Sequence, residues 1–333
     1  MTERRFAVVR LGSLGDIVHT FPAVAALRKS FPGAQIIWIT HPRWVSLVAS
    51  GGLATEIWPL ESRDLSSVRQ TVAKLRDNRP GAAIDYQGLW KSAIPGFLAG
   101  ISRRIGFSSA TIREYGVPIL YTERLKCRAI HIAEQNGELS VCAGAQTPVE
   151  QINLQVAPGD EAKVHSQLKN DGVDSYVVVS PGGGWRSKCW PPERYGALCM
   201  AIRNETGLRS VINFGPGEES LLAAIKSNSG NSQPLGWNGE LGSLMALLKN
   251  ARCIVGGDTG PLHLAAALRT PVVALFGPTD PARNGPYPPQ PVVLRSPNAS
   301  TTYKRGSTPD PSLFDLSVEQ VFAALKSRVE TTR

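Results

Sequence analysis

The sequence has few cysteines and no long apolar run, and these absences exclude several classes of protein. Its 333 residues include five cysteines, an odd number with no C-x-x-C pair, so neither a disulfide framework nor a C-x-x-C metal or redox site is indicated. Reduced thiols in a cytoplasm are the expected state. The amino terminus returns to charge after a few apolar residues and no later run is long enough to span a bilayer. We therefore expect neither a signal peptide nor a membrane span.

Two common nucleotide-binding motifs are also missing. The chain contains no G-x-x-x-x-G-K-[ST], which sets aside the P-loop kinases and ATPases. Its first glycine turn, Gly12 to Asp16, has G-x-x-G spacing and lacks the full G-x-G-x-x-G. The second predicted strand, 35–40, ends in Thr40-His41 with no acid to hold a ribose. Both departures argue against a nicotinamide dehydrogenase.

The composition that is present is typical of a globular protein with two domains. Hydrophobic residues make up 42% and charged residues 19% of the chain, and 333 residues exceed one ordinary core. A stretch with two prolines and little periodicity, 145–159, predicts a linker. We therefore expect domains at 1–158 and 159–333.

The positive charge is concentrated in the first part of the chain. Residues 1–130 hold 18 Lys and Arg against 9 Asp and Glu, whereas residues 131–333 hold 18 of each, so the net charge of +9 belongs to the first part. This asymmetry favours an anionic partner such as a membrane surface, a phosphorylated acceptor or nucleic acid. Nucleic acid is disfavoured because no basic run is interleaved with aromatics. The alternative is a solvated basic face without a partner.

The clearest unit of the sequence runs from Cys253 to Pro281. Two β-branched runs flank helix formers at 262–268, which predicts a strand, a helix and a strand of a parallel sheet. The turn at 256–260 leads into Pro261, a residue that suits a first helical position. Such a turn points free N–H groups and the positive end of a helix dipole outward, which makes a site for phosphate or another anion.

The carboxylate of Asp258 lies in that turn and suits sugar hydroxyls better than phosphate. The alternative is that Asp258 only caps the helix, because Asp is a common N-cap residue. In the first half, Asp16 ends a similar strand-to-helix turn. Asp85, Gln87 and Lys91 follow another short strand, at the sheet edge on which α/β proteins place ligands. Each of these three, taken alone, also fits an ordinary loop residue.

The second half repeats this pattern. A predicted strand at 176–180 runs into three glycines and Lys188. The glycines let the backbone approach a phosphate, and Lys188 can neutralise its charge. Glu218 and Glu219 open a later helix, where they either favour the helix dipole or accept a ribose hydroxyl. The sequence thus predicts an α/β protein of two Rossmann-like domains facing across a cleft, closed by a helix at 316–328.

Five motifs occur in order along nearly the whole chain. They are Gly12-x-x-Gly-Asp16, Asp85-x-Gln-Gly-Leu-x-Lys-Ser92, Lys188-x-Trp-Pro191, Asp258-Thr-Gly-x-x-His-Leu-Ala-Ala266 and Phe276-Gly-Pro-Thr-Asp280. Together they resemble glycosyltransferase family 9, the heptosyltransferases of lipopolysaccharide inner-core synthesis. The resemblance implies a GT-B fold, with the acceptor on the amino-terminal domain and the nucleotide sugar on the carboxy-terminal one. It also implies an inverting transfer without a cofactor or an obligatory metal, and no nucleic-acid partner.

The resemblance also assigns roles to residues. Asp16 matches the general base of the family, and Lys188 matches the residue that contacts the phosphate and the transferring sugar. The implied donor-binding residues are Gly183, Gly184, Glu218, Glu219, Asp258, Thr259, Gly260 and His263. The implied acceptor-binding residues are Ser13, Gly15, Arg63, Gln87, Lys91 and Arg113. For the ribose, the resemblance implies Glu219, or Glu218 if the register shifts by one.

Two departures from the family pattern put the substrate in question. Gly183-Gly184 stands where relatives have two threonines, so backbone amides must replace side-chain hydroxyls as the groups that contact phosphate. The segment after Pro59 offers only Arg63 and Arg69, where relatives have a cluster of arginines. The main hypothesis is heptose transfer from ADP-heptose to an anionic inner-core glycolipid, at the cytoplasmic face of the inner membrane as a peripheral protein. The alternatives are another nucleotide sugar or acceptor, and a binding module that transfers nothing.

Overall fold

The computed structural model describes residues 4–111, 114–287 and 291–331, and these form alternating strands and helices. Within these ranges the strands are β1 Arg5–Val9, β2 Gln35–Thr40, β3 Glu56–Pro59, β4 Ala82–Asp85, β5 Arg104–Phe107, β6 Glu123–Leu125, β7 Tyr176–Ser180, β8 Arg209–Asn213, β9 Leu235–Trp237, β10 Cys253–Gly257, β11 Val272–Phe276 and β12 Val292–Arg295. The α-helices are α1 Leu14–Val18, α2 Phe21–Ser30, α3 Val45–Ser50, α4 Leu65–Asn78, α5 Trp90–Leu98, α6 Ile132–Cys142, α7 Pro158–Asn170, α8 Pro192–Thr206, α9 Glu219–Ser227, α10 Leu241–Lys249, α11 Gly260–Ala267, α12 Pro281–Asn284 and α13 Val318–Thr331.

The chain divides into two compact units, Met1–Gln155 and Val156–Arg333. The division falls shortly before the boundary at 158 that the sequence suggests. Each unit contains one parallel six-stranded sheet. The first sheet has the order β3-β2-β1-β4-β5-β6 and the second β12-β11-β10-β7-β8-β9. Counted from its own first strand, each sheet therefore has the order 3-2-1-4-5-6 of a doubly wound Rossmann sheet.

This order fixes where ligands can bind in each unit. The direction of winding reverses between β1 and β4 in the first sheet and between β7 and β10 in the second, where each pair is hydrogen-bonded in parallel. Open α/β sheets bind ligands outside the carboxyl ends of the strands at this reversal. The turns that follow β1, β4, β7 and β10 are therefore the places to search for a site.

Buried apolar strands and amphipathic helices build the core of the second unit. The inner strands β7, β10 and β11 are buried along their whole length, as expected for a parallel sheet covered on both faces. The closing helix α13 contributes Val321, Leu325 and Val329 to the same cluster as Trp190 and Tyr195. The rings of Trp190 and Tyr195 meet edge to face at 5.0 Å, an arrangement that aromatic quadrupoles favour.

The sequence predictions hold for the central elements and fail near the sheet edges. The strands predicted at 35–40 and 176–180 have these bounds in the structure. The sequence predicts no strand at 123–125, where β6 pairs with β5. The short strands β3, β5, β9 and β12 were not predicted. They have only three or four residues each, so periodicity carries little signal there.

Among the described helices, none combines the length and the apolar content that crossing a membrane requires.

Candidate functional site

In the second unit, a lysine, an aspartate and a histidine meet at the reversal between β7 and β10. The loop after β7 carries Lys188, and the turn after β10 carries Asp258. Their Nζ and Oδ2 atoms are 2.5 Å apart, and both side chains are largely buried. The other carboxylate oxygen, Oδ1, lies 3.0 Å from Nε2 of His263 on α11. Two loops that are distant in sequence are thus joined through one carboxylate.

The environment of Asp258 keeps this carboxylate ionised. Burial by itself would raise the pKa of Asp258, but the hydrogen bond with His263 and the charges of His263 and Lys188 outweigh burial and hold the pKa below its usual range. The helix N-cap is Thr259, and Asp258 is bonded to side chains of another loop and of the helix body. The alternative that Asp258 only caps its helix is therefore wrong.

The glycines of these turns allow backbone segments to approach closely. A Cβ on Gly257 would lie 2.6 Å from the carbonyl oxygen of Lys188, and a Cβ on Gly256 would lie 2.5 Å from that of Ser180. Because backbone cannot swing away as a long side chain can, a side chain at Gly257 would push the Lys188 loop off β10, and one at Gly256 would push the end of β7 off β10. The spacing between Lys188 and Asp258 depends on these two glycines.

The turn into α11 presents groups that can bind an anion. Thr259 is the N-cap residue and makes no side-chain cap hydrogen bond. Its buried hydroxyl has no hydrogen-bond partner in the part of the chain that the structure describes. Gly183 of the neighbouring glycine loop approaches Thr259, because a Cβ there would be 3.4 Å from Cγ2. The hydroxyl and the first amides of α11, including that of Gly260, therefore remain available to a ligand.

The two acids at the start of α9 occupy different environments. One oxygen of Glu218 accepts a hydrogen bond from the amide of Gly215 at 2.7 Å, and its carboxylate covers Gly182, where a Cβ would lie 2.2 Å from Oε1. Glu219 is exposed and accepts only a long bond from Gly217 at 3.3 Å. Glu218, not Glu219, thus lies beside the glycine loop that follows β7. Gly184 is also in that loop and is exposed.

In the first unit, Asp16 is held in the turn after β1. Its Oδ2 accepts hydrogen bonds from the amide and hydroxyl of Ser13 at 2.9 and 3.0 Å, while Oδ1 pairs with the guanidinium of Arg10 at 2.7 Å. The Asp16 side chain is exposed, whereas Arg10 is buried. A carboxylate that is fixed on one side and open to solvent on the other can accept a proton from a ligand.

Sequence reasoning missed Arg10, which connects Asp16 to the turn after the neighbouring strand β4. Its guanidinium also donates to the carbonyl of Tyr86, and the amide of Leu11 donates to Oε1 of Gln87 at 2.6 Å. The turns after β1 and β4 are therefore bonded to each other at the reversal of the sheet. The only sequence signal for Arg10 was a charge directly after an apolar strand.

Asp85, at the end of β4, is a structural carboxylate in this arrangement. It is buried and accepts hydrogen bonds from Tyr121 at 2.7 Å, from Ser92 at 2.8 Å and from the amides of Gln87 and Gly88. Burial raises the pKa of Asp85 and these hydrogen bonds oppose the rise. Asp85 thus shapes the turn that carries Gln87 and leaves no face open to a ligand.

The other predicted acceptor residues are placed more loosely. Arg63 lies in an exposed turn before α4, and Lys91 is exposed in the first turn of α5. Gly15 is buried within α1. Arg113 lies outside the described residues. In the ranges that the structure describes, no three His, Cys, Asp or Glu side chains come together as a metal site.

Comparison with solved structures identifies the fold. The fold matches the structure titled E. coli ADP-heptose lps heptosyltransferase II with a TM-score of 0.83 over 98% of this chain and 99% of that chain, at 22% identity. It matches E. coli heptosyltransferase WaaC with ADP with a TM-score of 0.74 over 98% and 99%, at 24% identity. The paired Rossmann sheets therefore form the GT-B fold of glycosyltransferases.

Sequence comparison identifies the family. The family model described as glycosyltransferase family 9 (heptosyltransferase) matches residues 68–311. Lipopolysaccharide heptosyltransferase 1 of Pseudomonas aeruginosa is 29% identical over 95% of this chain and 92% of its own length. The corresponding enzyme of Escherichia coli K12 is 26% identical over 88% and 94%. The chain belongs to glycosyltransferase family 9 and is a glycosyltransferase.

Proposed function

We propose that this enzyme transfers L-glycero-D-manno-heptose from ADP-heptose to the 3-deoxy-octulosonate (Kdo) and lipid A inner core of lipopolysaccharide, with inversion at the anomeric carbon. Membership of the family supports the reaction class, and relatives named lipopolysaccharide heptosyltransferase support the substrates. The observation that carries the proposal is the Lys188, Asp258 and His263 arrangement beside the open N-terminus of α11. It brings together a cation, helix amides and a carboxylate that suits sugar hydroxyls at the carboxyl ends of two neighbouring strands.

On the donor side, each group has a task that follows from its chemistry. The amides of Thr259 and Gly260 bind the diphosphate, aided by the helix dipole. Lys188 neutralises the charge that develops on the departing ADP, which is stabilisation of the oxyanion-hole type. Asp258 accepts hydrogen bonds from the sugar hydroxyls. Glu218 accepts from the ribose, since its carboxylate lies next to the glycine loop.

On the acceptor side, Asp16 acts as the general base. The acceptor hydroxyl loses its proton to Asp16 while its oxygen forms a bond to the anomeric carbon, and the bond from that carbon to the ADP oxygen breaks on the opposite face. General-base catalysis by a placed carboxylate contributes roughly 10²–10⁴-fold. Arg10 orients the carboxylate through their 2.7 Å ion pair. Gln87 is bonded to the same turn and joins the acceptor site.

The location follows from the proposed acceptor. An acceptor with lipid A phosphates and Kdo carboxylates suits the excess positive charge of residues 1–130. We place the enzyme in the cytoplasm, peripheral to the inner face of the inner membrane, where anionic lipids attract basic surfaces. The proposal needs no cofactor and no obligatory metal, because Lys188 and the helix amides supply the positive charge for the leaving group.

The proposal is tested by donor preference together with product formation. Thermal unfolding is measured with ADP, UDP and GDP, and transfer from ADP-heptose to a Kdo-bearing acceptor is followed by mass spectrometry. We expect ADP to stabilise the protein most and the product to gain one heptose. Stabilisation by UDP alone would contradict the heptose donor and favour another nucleotide sugar. Tight nucleotide binding without transfer from any donor would favour a non-catalytic module.

The glycine pair at 183–184 supports a second candidate function, which is transfer with another donor or acceptor in the same family. Where relatives present hydroxyl groups, this loop offers only amides and open space around Gly184. Thermal unfolding with the three nucleotides, together with the transfer assay, separates the two possibilities. If the donor nucleotide differs, UDP or GDP should stabilise the protein more than ADP does. If only the acceptor differs, ADP should still stabilise the protein most, and transfer to the Kdo-bearing compound should be absent.

A further inference from the structure

Five large apolar side chains of the first unit are each at least 40% exposed and lie in two neighbouring segments. They lie on α5 and in the segment that follows β5, and we call them the apolar face: Trp90, Phe97, Leu98, Tyr115 and Ile119. Tyr115 is 95% exposed and Ile119 is 70% exposed. Single exposed apolar residues are ordinary on a soluble protein, but a contiguous group of this size marks an interaction surface.

The members of the apolar face are contiguous for two reasons. Trp90, Phe97 and Leu98 are seven and eight positions apart, so they share one side of α5. The second segment is attached to this side at Trp90. The amide of Trp90 donates to Oε2 of Glu114 at 2.7 Å, and a Cβ on Gly116 would lie 3.2 Å from Cζ2 of Trp90. The backbone on either side of Tyr115 is therefore attached at Trp90, and the exposed Tyr115 side chain belongs to the same surface.

Basic side chains border the apolar face. Arg76 donates to the carbonyl of Leu98 at 2.8 Å. The guanidinium of Arg104 lies 5.5 Å from the centre of the Phe97 ring and donates to the carbonyl of Leu120 at 2.6 Å. Lys91 is exposed next to Trp90. We call Arg76, Lys91 and Arg104 the basic rim.

The chemistry of this surface selects its partner. Tryptophan and tyrosine have an apolar ring with one polar atom, which suits the boundary between lipid headgroups and acyl chains. Arginine and lysine around them are attracted to anionic headgroups. A protein interface would favour the aromatics equally, but the twofold excess of basic over acidic residues in 1–130 makes the surrounding surface complementary to a negatively charged sheet.

We propose that the apolar face and its basic rim dock this enzyme on an anionic phospholipid bilayer, with the aromatic side chains in the headgroup region. This inference deepens the proposed function, because it identifies the surface that would bring the enzyme to a membrane-bound acceptor. The physical basis of this docking is separate from the reaction. Burial of the apolar face in the headgroup region drives binding, and salt-screened attraction between the basic rim and anionic headgroups strengthens it.

The test is flotation of the full-length protein with vesicles of phosphatidylcholine alone or mixed with phosphatidylglycerol. The double variant Phe97→Ser and Ile119→Ser removes two members of the apolar face. We expect wild type to bind the anionic vesicles, to bind the neutral ones much more weakly and to be released by salt. The double variant should bind at least about tenfold more weakly, because it loses two apolar contacts with the bilayer.

A matched control is available on the same chain. Phe314 is 51% exposed, with the Arg194 guanidinium 5.7 Å from its ring, and Leu65 is 72% exposed. The double variant Phe314→Ser and Leu65→Ser therefore loses the same kind of exposed surface outside the apolar face and should bind vesicles as wild type does. Both double variants should remain folded, as shown by a cooperative thermal transition, and should keep the ADP affinity of wild type.

Three results would overturn the proposal. They are no binding of wild type to anionic vesicles, equal binding of the Phe97 and Ile119 variant and wild type, or equal binding to neutral and anionic vesicles at every salt concentration. Transfer is measured separately with an acceptor that lacks acyl chains. Vesicle binding without transfer would count against the proposed reaction and leave the docking surface standing, and transfer without vesicle binding would do the reverse.

Discussion

Replacing Asp258 with asparagine tests whether the second unit is held together by a charge that also serves the donor. Asp258→Asn keeps the shape of the side chain but removes the negative charge between Lys188 and His263. Breaking a buried ion pair on one side costs about 3–5 kcal/mol, because the remaining charge stays buried. Lys188 retains some exposure, so we expect the lower end, about 3 kcal/mol.

This loss should be visible as a change in melting temperature. One kcal/mol corresponds to roughly 2–4 °C for a domain of this size, so Asp258→Asn should melt about 6–12 °C below wild type. Lys188→Met should cost less, since Asp258 keeps its hydrogen bond to His263. The double variant should be more stable than the sum of the two losses predicts, because no unpaired charge remains.

The pH dependence has a definite sign. The folded-state pKa of Asp258 is held below its usual range despite burial. A carboxylate whose pKa is lower in the folded protein stabilises the fold at pH values above its pKa in the unfolded chain, about 3.9. This stabilisation is lost as the pH falls toward the pKa of the folded state. The difference in unfolding free energy between wild type and Asp258→Asn should therefore be largest at neutral pH and should decrease below about pH 4. An unchanged melting temperature at pH 7, or strictly additive losses, would refute the reasoning.

Three further variants test other parts of the site. Arg10→Ala should slow transfer by up to about 10²-fold through misplacement of the base, with unchanged ADP affinity by calorimetry; equal rates would contradict the positioning role. Gly257→Ala should weaken ADP binding about tenfold or more, because its Cβ meets backbone at 2.6 Å, whereas Gly159→Ala has open space and should bind as wild type does. Tyr121→Phe leaves buried Asp85 without one donor and should lower unfolding free energy by about 1–3 kcal/mol; no loss in urea denaturation would show that Asp85 does not need this bond.

The central part of each unit could be predicted from the sequence, and the edges could not. The unit from β10 through α11 to β11 has strong β-branched and glycine signals, and the structure places it as predicted. By contrast, β6 and β9 have three residues each, and their conformation is set by pairing with a neighbouring strand. Pairing of this kind is a tertiary effect that local patterns do not carry.

For the site, sequence identified residue types but not their partners. Asp258 and Lys188 were separate features of two loops, and their contact depends on the order of the strands. The choice between Glu218 and Glu219 required the path of the backbone after β8. Arg10 was missed because a single arginine after a strand has no distinguishing pattern until its two acceptors, 6 and 76 positions away, are placed beside it. Contacts between turns that are distant in sequence therefore could not be predicted from periodicity or motifs.

The proposed reaction requires Asp16 as a base and the second unit as the donor site, and one comparison tests this assignment directly. Single-turnover transfer from ADP-heptose is measured for wild type, for Asp16→Asn and for the control Asp77→Asn, which removes an exposed carboxylate on α4. We expect Asp16→Asn to lose roughly 10²–10⁴-fold in rate, with the ADP affinity of wild type, while the control transfers normally. Transfer by Asp16→Asn at the wild-type rate would contradict the account.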